Sequence, residues 1–514
     1  MQGRKRVSGL SSVALVIGLG LAAKFAIHTL TGARYGYFAD ELYTIALSHH
    51  LAFGYVDLPP LVPLLAALSR ALFGESLVAL HLLPALAGSL TLVCVCLIAK
   101  SFGAKPFAVG LSAVGFLAAP VWLIVDSYFS YDAFDQLVLA IFLYALVRFI
   151  RSGDRRLWIL LGGLAGLACL TKMTLLYAGP GFLAALLLSK YRKDLLTPWP
   201  WLGAALFLAL LAPYLLWQAA NGWPTLKYWI GYGTLRLQPV SIPDFASEVI
   251  YAMNPALPPV YAIGLWRIFR RFGERHYGFL GVTFLVTLVW LYALHAKTWM
   301  LAELFMPLLA AGAVGVEEMA AGRSWGKILK PAAITVAAVG GILVAPASLP
   351  ILPLESLPAY FEHFKFLSVS NQKPGLFSSE YPINLAMRTG WPELVGKVAA
   401  VYNALPPDEQ QVAGIYAYWY APASALDFFG PRYGLPHAVS GHLTYYLWGP
   451  GYSWEVMIML VHDSSSLSLY FDTCQMKGRA YNPYTLALNQ LTIYVCRKPR
   501  LRPEEIWPHL VFYQ

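Results

Sequence analysis

Residues 77–99 read LVALHLLPALAGSLTLVCVCLIA, an apolar run with no Asp, Glu, Lys or Arg and a single histidine, His81. A helix of about 20 such residues crosses the hydrocarbon core of a bilayer, so this stretch is expected to span a membrane. Working outward, runs of the same kind recur near 9–30, 106–125, 133–150, 157–171, 174–189, 200–219, 256–269, 277–294, 300–316 and 331–349, making eleven expected spans. Short polar or basic stretches separate them. From Pro350 the character changes to a mixed, Tyr- and Trp-rich sequence with ordinary charge and turn residues. The expected architecture is a polytopic α-helical membrane domain over 1–349, with a first outer loop at 31–76, followed by an α/β domain over 350–514.

Composition agrees. Of 514 residues, 58% are hydrophobic and 12% charged, and the mean hydropathy is +0.57. A soluble surface carries about 25% charged residues, so a set of soluble domains is excluded. Gly 42 and Pro 35 without a period exclude collagen, and Cys 5 excludes a disulfide-dense scaffold.

Basic residues set the orientation. They cluster in alternate gaps: Arg4, Lys5 and Arg6; Lys100 and Lys105; Arg148, Arg151, Arg155 and Arg156; Lys190, Arg192 and Lys193; Arg267, Arg270, Arg271 and Arg275; Arg323, Lys327 and Lys330. These total 19, against 6 in the opposite gaps: Arg34, Arg70, Lys172, Lys227, Arg236 and Lys297. The amino terminus is therefore expected in the cytoplasm and residues 350–514 outside. The net charge of +10 is mostly this topogenic signal and gives no reason to invoke nucleic acid. The MQGRKR start is read as leading into a retained first span, since the apolar run continues past Lys24 to Leu30 without a cleavage site.

Polar residues in the outer gaps then carry the information. The first gap contains two stretches, 40–53 and 60–73, with apolar residues at helical spacing, which suit short helices lying along the membrane surface. Asp40 and Glu41 begin the first of them, and Asp57 and His49 lie in the same loop. The next gap, DSYFSYDAFDQL, holds Asp126, Asp132 and Asp135; a tight turn, CLTKMTLL, holds Lys172; HAKTWMLAELFMP holds His295, Lys297 and Glu303. Ionisable groups at the ends of spans are expensive and tend to line a site or a watery cavity. A carboxylate can take a proton from a hydroxyl acceptor, and lysines stabilise the charge that builds on a departing phosphate. This chemistry fits transfer of a group from a lipid-linked phosphate, with apolar grooves between spans holding the lipid chain. The expectation is that acids near 40 and 132 meet the lysines at 172 and 297 around one outer pocket.

The stretch FADELYTIALSHHLAFGYVDLPPLVPLLAALSRALFGESLVALHLLPALAG, followed by SYDAFDQL, LTKMTLL, QAANGWPTLKYW, NPALPP, AKTWMLAELFMPLLAAGAVGVEE and YAPASALDFFGPRYGLPHAVSGHLTYYLWGP, resembles bacterial glycosyltransferase family 39 proteins. These are relatives of protein O-mannosyltransferases and of the lipid A aminoarabinose transferase. The resemblance implies a C-type glycosyltransferase fold, a polyprenyl-phosphate-linked sugar donor and inversion at the anomeric carbon. It implies Asp40 as the catalytic acid residue acting as base, with Glu41 beside it, and Asp132 or Asp135 as the second-loop acid. Lys172 and Lys297 correspond to the donor phosphate-binding lysines, although TWML after Lys297 departs from the family's acidic-aromatic run. The acceptor would be a glycan, a lipid or a protein, and the setting a bacterial inner membrane.

Residues 350–514 suffice for one domain. WPELVGKVAAVYNAL and ALDFFGPRYG read as helices, and QVAGIYAYWY, EVMIMLVHD and QLTIYVC as strands; the alternation favours a mostly parallel sheet. His437 and His442, like His49, His295 and Asp57, are weaker candidates for substrate binding. Cys94, Cys96 and Cys169 lie in spans, whereas Cys474 and Cys496 lie where oxidation permits a bridge. GLGLAA at 18–23 lies inside the first span and is not a nucleotide fingerprint. There is no HExxH, CxxC or P-loop, so no cofactor is expected, although acidic loops of this kind also admit a divalent cation. The rival readings are a lipid or solute transporter, a glycan-ligating enzyme of the same fold and an inactive glycan-binding relative. Charges at outer ends, and no duplicated halves, speak against the transporter.

Overall fold

The computed structural model describes residues 2–235, 239–270, 277–364 and 378–513; Arg236, Arg271 and Arg275 lie outside the described residues, as do the side chains of Arg4, Lys5 and Arg6. Among the described residues, six helices are long and apolar enough to cross a membrane: Ser12–Thr31 (within Gln2–Thr31), Leu77–Ser101, Tyr131–Ser152, Pro198–Ala220, Thr298–Ala320 and Gly326–Ser348. The remaining expected spans hold shorter helices, among them Leu157–Thr171, Thr174–Leu188, Pro258–Arg270 and Gly278–Ala293. The expected continuous span at 106–125 is two helices, Pro106–Leu117 and Pro120–Val125. The break is local chemistry: the ring of Pro120 bars its predecessor from helical backbone, and Ala119 is extended at φ −88, ψ 123.

The chain divides into two compact units. The first comprises Met1–Ala33, Val78–Trp217 and Leu237–Ile351. With lipid tails as apolar as leucine, its helices associate by close packing, which small residues permit. Gly162 faces Gly203 so closely that a Cβ on Gly162 would meet the carbonyl oxygen of Gly203 at 2.1 Å, and Gly264 packs similarly on the Leu308 carbonyl. Lys24 of the first span is fully buried, paired with Asp126 at 2.8 Å and donating to the Trp122 carbonyl at 2.6 Å. Gln136 donates to the same carboxylate. An apolar cavity of about 460 Å³ opens among the Ile242–Ala252, Pro258–Arg270 and Gly278–Ala293 helices, walled by Phe245, Met253, Tyr261, Leu265, Phe284 and Phe305.

The second unit joins Arg34–Leu77 and Gln218–Arg236 with Leu352–Gln514. Its first two helices, Ala39–His49 and Leu61–Phe73, are those expected of the outer loop. On the second, Val62, Ala66 and Ser69 are buried while Leu64, Leu68, Leu72 and Phe73 are exposed, an uncovered apolar stripe suited to a membrane interface. The sheet has five strands, β1 (Ala413–Ala417), β2 (Ala438–Val439), β3 (Val456–Val461), β4 (Phe471–Ala480) and β5 (Leu491–Pro499), in the order β2-β1-β3-β5-β4. β1 pairs in parallel with β2 and β3, and β5 runs antiparallel to β3 and β4. The sheet is thus mixed where a mostly parallel one was expected. The reason is β4, whose burial pattern is largely exposed and lacks the continuous apolar run of a buried strand. Cys474 and Cys496 face each other across β4 and β5 and form a disulfide, with Cα atoms 4.0 Å apart.

Candidate functional site

In the second unit, the site begins where the chain turns into the Ala39–His49 helix. Phe38 takes the extended N-cap position, and buried Glu41 accepts a hydrogen bond from the Phe38 amide at 2.8 Å. Glu41 therefore caps its own helix. Asp40, one residue earlier and half-buried, points elsewhere: its Oδ1 accepts the Tyr420 hydroxyl at 2.6 Å. Burial raises the Tyr420 phenol well above its ordinary range, and the Asp40 charge and hydrogen bond add to the rise, so the phenol stays protonated and donates. Tyr43, one turn on, packs with its ring tilted against that of Tyr420 at 4.6 Å between centroids and donates to Asp57 at 2.8 Å. Burial pushes the Asp57 carboxyl up to about 7; the Tyr43 hydrogen bond opposes this and the Asp40 charge adds to it.

The C-terminal part of this unit buttresses the pair. Thr444 accepts the Val56 amide and donates its own amide to the Tyr43 hydroxyl. His442 is buried between Tyr420 and Phe512 rings, and its Nδ1 accepts the Tyr420 amide at 3.3 Å. It positions Tyr420. His437 is exposed, with Nδ1 3.6 Å from Asp427, whose hydrogen bond and charge raise its pKa. His49, at the other end of the 39–49 helix, lies 3.5 Å from Arg70 and has its pKa lowered by burial and by that charge.

In the first unit, the turn between the Leu157–Thr171 and Thr174–Leu188 helices presents Lys172 in extended backbone. Its ammonium pairs with Asp132, at the start of the Tyr131–Ser152 helix, and lies 4.0 Å from the Trp299 ring and 4.9 Å from that of Tyr131. The two side chains of the pair keep 16% and 19% exposure, so a ligand can reach them. Asp135, one turn on, is buried and accepts the Thr171 hydroxyl at 3.2 Å. Asp132, Asp135, Lys172 and Glu303 interact electrostatically. Lys297 and His295 sit in the turn before the Thr298–Leu304 helix, His295 at φ 52, and both are half-buried. Asp126 stands apart, locked against Lys24. Among the described residues no group of three or more His, Cys, Asp or Glu is arranged to hold a metal ion.

Sequence reading did not find Tyr420, Tyr43 or Trp299. Trp299 belongs to the TWML segment that departs from the family pattern, and that departure was the available signal. Tyr420 lies in a Tyr- and Trp-rich stretch whose composition does not single it out.

Residues 57–217 match the family model described as dolichyl-phosphate-mannose-protein mannosyltransferase. The match takes in Asp57, Asp132, Asp135 and Lys172, whereas Asp40, Glu41 and Lys297 lie outside it. No curated protein matches the chain. Among solved structures, ArnT from Cupriavidus metallidurans in the apo state has a TM-score of 0.58 at 15% identity, covering 95% of this chain and 98% of that one. The same protein bound to undecaprenyl phosphate has a TM-score of 0.57 at 14% identity, covering 94% and 97%. The chain thus has the membrane fold of ArnT and, over residues 57–217, the sequence signature of the dolichyl-phosphate-mannose-protein mannosyltransferases, and the resemblance to glycosyltransferase family 39 read from its motifs is borne out.

Proposed function

We propose that this protein is a glycosyltransferase of a bacterial inner membrane, moving a sugar from a polyprenyl-phosphate-linked donor to a glycan, lipid or protein acceptor outside the cytoplasm. The observation that carries the reading is the pairing of Lys172 with Asp132, both within the segment that matches the mannosyltransferase model, beside the Tyr131 ring and the Trp299 ring from outside that segment. An ammonium held there is a counter-charge for the donor phosphate, which displaces Asp132 as its partner. Lys297 is proposed as the second cation. The apolar cavity bounded by Phe245, Tyr261 and Phe284 would take part of the polyprenyl chain.

Asp40 is the proposed base. Tyr420 donates to Oδ1 and orients the carboxylate, which takes the acceptor's hydroxyl proton as that oxygen attacks the anomeric carbon. The bond from that carbon to the phosphate oxygen breaks, and its electron pair leaves on the polyprenyl phosphate. Attack opposite the leaving group inverts the centre. Asp135 would orient the acceptor or stabilise positive charge in the transition state.

Removal of a positioned base costs about 10²–10⁴ in rate. Asp40→Asn should therefore lose transfer of radiolabel from a polyprenyl-phosphate sugar by that factor while inserting in membranes at wild-type level. Turnover within a few-fold of wild type would refute the assignment. Mass spectrometry of envelope glycans with and without the variant identifies sugar and acceptor.

A further inference from the structure

A second concavity of about 580 Å³ lies away from every residue assigned above, where the Leu77–Ser101 and Tyr131–Ser152 helices both end. Leu97, Lys100 and Ser101 line it from the first, at spacings i, i+3 and i+4; Tyr144, Arg148, Arg151 and Ser152 line it from the second, at i, i+4, i+7 and i+8. Each set is one face of its helix. Lys100, Arg148 and Arg151 are exposed at the rim, and among the described residues none has a carboxylate partner. Leu97 and Tyr144 are half-buried and Ser101 is buried.

Basic residues at this end are expected from topology alone, but a topogenic charge needs neither a recess nor hydroxyls converging within one. Ser101 donates to the Leu97 carbonyl at 2.9 Å, which leaves three cations with the Tyr144 and Ser152 hydroxyls to complement a phosphate, and guanidinium forks match its oxygens. A recess at the ends of two membrane-spanning helices, with a leucine and an aromatic ring in its wall, also accommodates the glycerol and first methylenes of a lipid. We propose that it binds the phosphate-bearing headgroup of an anionic membrane phospholipid, at the bilayer face that the charge asymmetry assigns to the cytoplasm.

The test uses the full-length protein in detergent micelles, with bound lipid counted by native mass spectrometry after adding cardiolipin, phosphatidylglycerol, phosphatidylcholine or inorganic phosphate. The anionic lipids should be retained over phosphatidylcholine. Arg148→Gln with Arg151→Gln should weaken their retention by about tenfold or more. Leu97→Trp, which fills the recess and keeps every charge, should do the same. Arg192→Gln with Lys193→Gln, which removes equal charge outside the recess, should change it less than about twofold. Equal retention of phosphatidylcholine, an unaffected Leu97→Trp variant, or an equal loss in the Arg192/Lys193 control would overturn the proposal. Full displacement of lipid by millimolar inorganic phosphate would instead identify a soluble-anion site and sink the lipid assignment. If the double arginine variant does not fold, Leu97→Trp and the charge-keeping Arg148→Lys/Arg151→Lys pair decide the matter, the latter retaining lipid.

Discussion

Tyr420 reaches Asp40 across 380 positions of sequence and engages one carboxylate oxygen. The hydrogen bond fixes the rotamer of the proposed base, so Tyr420→Phe should lower kcat by about tenfold with little change in donor KM, an effect expected of a group that positions a base. Equal losses in kcat and in thermal stability would mean that the hydroxyl is only structural. Asp57 yields a prediction of opposite electrostatic character. Its carboxyl sits near 7 in the folded protein against 3.8 ordinarily. Between those values the native state keeps a proton that the unfolded chain has released, so stability is highest below the window, falls as pH rises through it and levels off above about 7. Asp57→Asn should flatten the pH dependence of the melting temperature between about pH 4 and 7. A slope unchanged in the variant would remove Asp57 as its cause. The acids at 132 and 135 illustrate what spacing alone leaves open: both fit the motif, but only Asp132 meets Lys172, because a three-residue step on the helix turns Asp135 toward Thr171.

At the scale of elements, helices pack closely where side chains are missing. The Leu157–Thr171 and Pro198–Ala220 helices approach backbone to backbone at Gly162 and Gly203. Neither partner has a flexible tip that can yield, so Gly162→Val must force the helices apart. The expected cost is about 1–3 kcal/mol, the range for overpacking a tight contact. It should appear as a lower melting temperature in detergent. An unchanged melting temperature would show that the helices separate freely. Hydropathy located these helices well because the bilayer imposes one length scale on apolar runs. It misplaced the 106–125 segment, where Pro120 overrules a continuous apolar signal.

For the whole molecule, the division into units has a functional consequence. Residues 34–77 pack with 352–514, so the helix bearing Asp40 is held by Tyr420, Thr444 and their neighbours. A chain ending near Pro350 should lose transfer activity, and its 34–77 segment should become sensitive to protease while the six long helices still insert. Full activity in that truncation would show that the C-terminal part is dispensable for catalysis. The Cys474–Cys496 bridge belongs to the same part and ties the two strands that close the sheet.

The apolar runs, the alternating basic gaps and the acids and lysines at the ends of spans were all legible in the chain itself, because insertion into a bilayer is decided segment by segment from local composition. The family motifs named Asp40, Lys172 and the pair Asp132 or Asp135 for the same reason: each lies in a short, contiguous signature. The partners of those residues were not legible. Tyr420 for Asp40, Trp299 for Lys172 and Lys24 for Asp126 are brought in from distant positions by packing. The assignment of Glu41 to a helix cap depended on backbone geometry at Phe38. Hydrogen bonds and ion pairs act over a few ångströms in space, and no local pattern encodes which remote side chain the folded chain will place within that reach.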